Sequence, residues 1–333
     1  MLKTRLTGLL GLEYPIVSAP MVKMSGGQLA AAVSTAGALG TFGAVSPSRP
    51  VEPDYIYDQI RQIRDQTDRP FGVGFITHVL QRDPQNFDAV LAANVPVIAL
   101  SFADPCPWLG RAKASGAATI CQVQSLDAAH IAVEEGADVL AVQGNEAGGH
   151  TGRQNLLPFL VQVLEKFPNI PVIASGGIAH GRSLAAVLAA GADGAWLGTA
   201  FLAVEEASEI ASVVKDQIVN SDGQDTIHTK IFDILNTHLY QGPPWPEEIA
   251  YRSRQNHFTA EWHGREDELR AQLDTVTPIY SEARQQANYD IAPSPYGEAA
   301  GFIRQVRSAG EVVRTLCEEA EHYLRQGVNC IAE

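Results

Sequence analysis

Cysteine is scarce: the 333 residues hold only Cys106, Cys121, Cys317 and Cys330, with no C-x-x-C pair and no regular spacing. That excludes a small disulfide-stapled fold, leaves no metal centre to expect, and makes a reducing cytoplasm the expected compartment. Basic charge is short as well. Lys and Arg number 24 against 38 Asp and Glu, a net charge of −14, so duplex nucleic acid and anionic membrane surfaces would be repelled and neither is an expected partner. The deficit is uneven: residues 1–204 carry 13 basic and 16 acidic side chains, residues 205–333 carry 11 and 22, which reads as a solvated acidic surface on the C-terminal part. Long hydrophobic runs are also missing. The most apolar stretch, residues 184–204, contains Ala190-Gly191-Ala192 and Asp193 and reads as a buried helix, a turn and a strand, not a membrane span. Glu13 breaks the short apolar stretch behind Lys3 and Arg5, too early for a secretory leader. No G-x-G-x-x-G follows the first strand-like run and no G-x-x-x-x-G-K-[ST] occurs, so the usual phosphate loops of open nucleotide-binding sheets are absent.

Against these absences stands a repeating order. Eight short runs, beginning near Pro15, Ala38, Phe71, Val95, Ala118, Val139, Val172 and Ala195, are continuously apolar and bounded by Gly, Pro or Asp, the pattern of strands buried on both faces. Stretches at helical period lie between them, among them residues 28–36, 55–64, 126–135, 156–166 and 182–190. Ala36-Gly37-Ala38, Ser115-Gly116-Ala117, Glu135-Gly136-Ala137 and Ala190-Gly191-Ala192 each separate a helical stretch from the next strand, and glycine there suits the left-handed turn that ends a helix. Eight β-then-α units in about 200 residues favour closure over an open sheet. The expected architecture is a (β/α)8 TIM barrel over residues 1–204, with a mainly helical C-terminal extension over residues 205–333 that covers or supports it. Within the extension, residues 206–219, 265–273 and 299–324 read as helices, and Gln241 to Pro246 and Ile291 to Tyr296 as turn-rich connections.

In such a barrel the loops at the C-terminal ends of the strands build the site, and phosphate sits near the loops of strands seven and eight. Strand seven leads into Ser175-Gly176-Gly177, and strand eight carries Trp196-Leu197-Gly198-Thr199. Glycines let the backbone approach a phosphate while exposed amides, a helix N-terminus and the two hydroxyls donate to it; the scarcity of nearby cations suits a monophosphate. The loop after strand six, Gln143-Gly144-Asn145-Glu146-Ala147-Gly148-Gly149-His150-Thr151-Gly152, is too rich in glycine for helix or strand and delivers one imidazole to the mouth, able to move a proton or polarise an oxygen. His78, His130 and His180 read as structural, with His180 the first exception to look for.

Ala19-Pro20-Met21, Arg69-Pro70-Phe71-Gly72-Val73, the His150 loop, Ala174-Ser175-Gly176-Gly177-Ile178 and Leu197-Gly198-Thr199-Ala200-Phe201 together resemble the nitronate monooxygenase family, formerly called 2-nitropropane dioxygenases, over residues 8 to about 204. The resemblance implies noncovalent FMN, with Ala19, Pro20 and Met21 against the flavin, Gln143 and Gly148 in contact with it, and Ser175, Gly177, Gly198 and Thr199 on its phosphate. Gly149, Gly176, Trp196 and Leu197 adjoin these positions and complete the expected cofactor set. His150 takes the catalytic place. Gly74 stands where members often have Asn, and Gln122 where some have Lys; both belong to the expected cofactor wall. The implied reaction is oxidation of an alkyl nitronate or nitroalkane by dioxygen, and a homodimer is compatible with the pattern. The same fold and loop resemble NAD(P)H-dependent flavin reductases of the enoyl-acyl-carrier-protein reductase II and quinone reductase types, and Gln143 looks more like the monooxygenases than the enoyl reductases. A non-catalytic FMN-binding protein and a barrel for another phosphorylated metabolite are the remaining readings. Tyr240, Trp245 and Tyr296 are the extension's candidates for substrate contact.

Overall fold

The computed structural model describes residues 2–48 and 50–330, Cys330 by its backbone alone. Met1, Arg49 and residues 331–333, which include the outer ends of both expected divisions, lie outside the described residues. Eight parallel strands form the barrel: β1 (Ile16–Ser18), β2 (Gly40–Gly43), β3 (Phe71–Ile76), β4 (Val97–Ser101), β5 (Ala118–Val123), β6 (Val139–Gln143) and, after a short β7 (Gly149–Thr151), β8 (Val172–Ser175) and β9 (Gly194–Leu197). They pair in the order β1-β9-β8-β6-β5-β4-β3-β2. Leu39 closes the ring, donating to Ile16 O and accepting from Ser18 N, both at 2.9 Å.

The continuous apolar runs have a direct cause. Val17, Val97, Ile120, Val139 and Ile173 pack inside the barrel, with Leu6 and Leu10 of the helix Arg5–Leu10. Their chain neighbours Ile16, Ile98, Cys121, Leu140 and Val172 pack outward under the helices. Side chains alternate, yet both faces are dry. Helices lie close on the sheet: a Cβ on Gly40 would fall 1.8 Å from Ala30 O. Gly37, Gly116, Gly136 and Gly191 have φ of 95°, 85°, 82° and 108°, the left-handed turns that the repeat implied. Asp193, the acid that interrupts the longest apolar stretch, accepts from Val172 N at 2.9 Å and pairs with Arg5 at 2.8 Å. No helix among the described residues is long and apolar enough to cross a membrane.

The division at residue 204 is not a division in the packing. The long helix Ala309–Gly327 lies against the helices Gly181–Ala189 and Gly27–Thr35, and its Val313, Leu316 and Ala320 join the outward core of the barrel. It fills the eighth place in the helical ring, so residues 205–308 are an insert between the last strand and the last helix. The insert is less helical than expected. Residues 206–211 lie outside the helix Ser212–Asn220. The expected helix at 299–324 is interrupted at 303–308, between a 3-10 turn (Glu298–Phe302) and the closing helix. Two strands, β10 (Thr226–Thr229) and β11 (Ala250–Arg254), pair antiparallel, and β11 adds β7 as its other neighbour. The histidine loop is therefore partly a strand after all, because the insert supplies the partner that its backbone needs. The insert has its own core of Phe232, Leu235, Phe258, Trp262, Val276 and Tyr280.

Candidate active site

Ala19, Pro20, Met21, Gly74, Gln122, Gln143, Gly148, Gly149, His150 and Trp196 line one cavity of about 400 Å3 at the mouth of the barrel, within the ~300–1,000 Å3 usual for cofactor and ligand sites. Its barrel wall is set by close backbone packing. Pro20 lies where a side chain on Gly74 would project: a Cβ there would be 2.2 Å from Pro20 Cγ. Pro20 thus occupies the space that a side chain on Gly74 would need. The turn that carries Pro20 is tied by Ser25, whose hydroxyl accepts from Met21 N at 2.8 Å. Gln143 is a brace as well as a wall: its amide donates to His150 O at 3.0 Å and its oxygen accepts from Gln124 at 3.0 Å. Gln124 also donates to Gln122 Oε1 at 3.3 Å.

The other expected cofactor residues, Ser175, Gly176, Gly177, Leu197, Gly198 and Thr199, lie outside this lining. Gly198 adjoins it, since a Cβ there would sit 3.6 Å from Met21 Sδ and 3.7 Å from Ala19 Cβ. Leu197 turns its side chain into the outward core, and its carbonyl accepts from Ala19 N at 2.8 Å; its part is to hold the turn. Ser175 is buried and its carbonyl accepts from Gly144 N at 2.8 Å. Gly176 and Gly177 have φ of 112° and 68°, and among the described residues the Gly177 amide donates to no protein acceptor, which leaves that N–H group for an anion. Thr199 Oγ1 accepts from Gly297 N at 3.0 Å, so the insert reaches this corner. The N-terminus of the helix Gly181–Ala189 is not free for phosphate. His180 Nδ1 accepts from Arg182 N at 3.0 Å, and Glu319 accepts from Gly181 N at 3.1 Å. His180 is thereby a helix cap, and His130 is an exposed partner of Glu134.

His150 projects from β7 opposite Tyr251 of β11. Its Nε2 lies 2.7 Å from Asp233 Oδ1, and both side chains are nearly buried. A carboxylate accepts and does not donate, so Nε2 carries the hydrogen and Nδ1 is the basic nitrogen of the neutral ring. Trp245 stacks on the imidazole at 3.5 Å between centroids and 17° between planes. Tyr251 meets it edge-on at 4.7 Å, and Phe102 lies edge-on to Trp245 at 5.0 Å. His78 meets Trp245 edge-on at 4.3 Å. Burial, reinforced by the neighbouring His150, holds its pKa down to about 4. Of the insert's aromatic candidates Trp245 lines the cavity, while Tyr240 and Tyr296 do not. The Tyr296 hydroxyl instead donates to Asp225 at 2.6 Å. Asp233 was not among the expected residues. Its signal is one acid inside Ile231-Phe232-Asp233-Ile234-Leu235, where Ile231, Phe232 and Leu235 are buried.

Buried polar atoms are left over in this region, both ring nitrogens of His78 among them. Trp196 Nε1, in the cavity wall, and Asp233 Oδ2 are buried without a partner among the described residues. A buried indole N–H without an acceptor is uncommon, and a bound group bearing ring carbonyls or nitrogens would satisfy it. The open amide at Gly177 suits the other end of a mononucleotide. The residues present therefore fit FMN.

The family model for nitronate monooxygenase matches residues 3–86 and 76–319, so the likeness runs through the insert and into the last helix, well beyond residue 204. A probable nitronate monooxygenase of Staphylococcus aureus strain Newman is 32% identical over 274 residues, which span 69% of this chain and 76% of that protein. Among solved structures, FabK from Thermotoga maritima superposes with a TM-score of 0.85 at 27% identity, covering 99% of this chain and 100% of the other. A nitroalkane oxidase from Streptomyces ansochromogenes does so with a TM-score of 0.78 at 29% identity, covering 97% and 99%.

Proposed function

The chain belongs to the nitronate monooxygenase family of TIM-barrel oxidoreductases, and from that premise we propose that it holds FMN and oxidises alkyl nitronates with dioxygen. The observation that carries the reading is the buried His150–Asp233 pair at 2.7 Å, whose imidazole lines the same cavity as the Ala19 turn, Gln143 and the unpartnered Trp196 indole. Ala19, Pro20, Met21, Gln122, Gln143, Gly148 and Trp196 would face the flavin ring, and Ser175, Gly176, Gly177, Gly198 and Thr199 would hold the phosphate end. When bound, the flavin supplies the electron acceptor and dioxygen the terminal oxidant.

A nitronate already carries the negative charge of its carbanion, so no strong base is needed. Nitronate oxygens only accept, so His150 orients or polarises them as the imidazolium, Nε2–H staying on Asp233 while Nδ1–H donates to the substrate. With a neutral nitroalkane the same nitrogen takes the α-proton, and Asp233 stabilises the resulting imidazolium. Trp245, Phe102 and Tyr251 keep water from this corner. Anaerobic mixing of the purified yellow protein tests the reading: propyl-1-nitronate bleaches the flavin, and NADH alone does not. Fast bleaching by NADH with no response to the nitronate would instead make the protein a nicotinamide-dependent flavin reductase.

A further inference from the structure

The reaction above uses one oxygen of Asp233 and leaves the other without a task. Oδ1 holds His150 Nε2 at 2.7 Å, and the residue is only 7% exposed, yet Oδ2 has no partner among the described residues. A buried carboxylate with a single donor is costly unless something meets its second oxygen. Asp233 does not line the mouth cavity. It lines a second one, an open cleft of about 560 Å3 built wholly from the insert. Trp245 lines both. The two side chains that set the imidazole, Asp233 on its nitrogen and Trp245 on its face, therefore both belong to this cleft.

The rest of the lining says what would fit. Ile234, Ile249 and Leu273 join Trp245 as its apolar part. Three groups on the wall could oppose a cation, and each is engaged elsewhere: Lys230 Nζ donates to Glu247 O at 2.5 Å, Arg270 pairs with Asp267 at 2.8 Å, and His238 lies 3.6 Å from Asp274. The buried group left over is the carboxylate oxygen. Residues 205–333 carry 22 acidic against 11 basic side chains, a field that draws cations toward this part of the molecule. A positively charged hydrogen-bond donor on a short apolar body is the complement of such a cleft.

We propose that this cleft is a regulatory site for an organic cation, whose primary ammonium donates to Asp233 Oδ2 while its alkyl part lies against Trp245 and Leu273. An ammonium on Oδ2 and an imidazolium on Oδ1 share one carboxylate, so each loosens the hold of the other, and the occupied enzyme turns over more slowly. The regulatory part rests on the nitronate reading; the site does not. Holoenzyme is titrated calorimetrically with n-butylammonium and with 1-butanol, its uncharged counterpart of similar size, for wild type, Asp233→Asn and Thr237→Trp. Thr237 lines the cleft and not the mouth cavity. Wild type is expected to prefer the ammonium by about 10-fold or more. Asp233→Asn loses about 10- to 100-fold of the ammonium affinity, the worth of a charge-assisted hydrogen bond. Thr237→Trp, whose indole fills the cleft, loses as much and keeps wild-type turnover in the absence of amine. Leu273→Trp narrows the same cleft from the helix Leu273–Gln285 and carries the test should Thr237→Trp not fold. Ammonium affinity unchanged in Asp233→Asn or in a cleft-filling variant overturns the site, and so does equal affinity for ammonium and alcohol. In turnover, saturating butylammonium lowers kcat for 1-nitrobutane by about 10-fold and leaves KM unmoved. An unmoved kcat overturns the regulatory part; a rise in KM alone puts the amine in the mouth cavity and overturns the site. Should no nitro compound be oxidised while ammonium binding still depends on Asp233 and Thr237, the functional reading fails and the site stands.

Discussion

The barrel and the insert meet at His150, and they contribute to it in different currencies. The barrel works mostly through backbone and small residues: the Ala19-Pro20-Met21 turn packed into the space left by Gly74, the left-handed turn at Gly176 and Gly177, the amide brace of Gln143. The insert works through charged and aromatic side chains: Asp233 on the imidazole, Trp245 stacked over it, Arg284 across the cavity. A wall of backbone and small groups suits a constant ligand. Charged side chains on a separately cored insert can change without disturbing the strands. In a barrel whose chemistry is set by its loops, the proposed function would then leave cofactor capture to the strands and the positioning of His150 to residues 205–308.

The sharpest way to break that division is at the imidazole itself. His150→Ala should lower turnover by about 10²–10⁴-fold while the flavin spectrum persists. Unchanged turnover would reduce His150 to an anchor of β7, and lost flavin would put the imidazole on the cofactor side of the division. Asp233→Asn is expected to act through the tautomer. An amide NH2 can donate to Nε2, which moves the ring hydrogen to Nδ1 and removes the basic nitrogen from the site. Turnover of a neutral nitroalkane should fall about 10- to 100-fold, and turnover of the preformed nitronate by less, since only the former needs its proton taken. An equal loss with both substrates would mean that Asp233 merely holds the fold together.

The same division governs how much could be read from the residues alone. All eight strands were legible because double-sided burial writes continuous apolar runs, and because Gly37, Gly116, Gly136 and Gly191 mark the turns between helix and strand. The cavity's barrel wall, from Ala19 to Trp196, was legible through its motifs. The insert was not. β10 is four residues long, Thr226-Ile227-His228-Thr229, and pairs only with a distant strand. Helix Leu273–Gln285 contains Pro278, which reads as a break. Asp233 has the look of an ordinary surface acid until the helix is seen to bury that face. The final helix reads as part of an appendage because more than 100 residues separate it in sequence from the last strand, after which it completes the helical ring.

If the insert truly closes the site, its backbone contact with the barrel should be sensitive to one added side chain. A Cβ on Gly148 would lie 2.6 Å from Gly297 N and from the Tyr296 carbonyl carbon, and that backbone has no room to move because Glu298 N donates to Glu146 O at 3.0 Å. Gly148→Val should cost about 1–3 kcal/mol in chemical denaturation. Next door, a Cβ on Gly149 meets nothing within 4 Å, and only its φ of 74° resists substitution, so Gly149→Ala should cost about 1 kcal/mol. Equal costs would mean that the insert does not press on this loop.

The smallest expected effect is a dependence on pH at the same seam. His78, against Trp245, is held down to about 4 chiefly by burial, and His228, bonded to Thr151 Oγ1 and Ala250 O between the strands, is lowered by burial and by Arg252. The unfolded chain takes up these protons near pH 6.5, whereas the folded chain refuses one at His78 until about pH 4. Protonation therefore favours the unfolded chain, and the stability that both imidazoles contribute in full above pH 6.5 is lost as pH falls toward 4. Since both sit where insert and barrel touch, hydrogen exchange should quicken first in β10 and β11 when the pH is lowered from 7 to 5. His78→Phe, which removes one of the two sites, should narrow the difference in Tm between those pH values. A Tm difference as wide in the variant as in wild type would place the acid sensitivity elsewhere in the molecule and leave the seam held by packing alone.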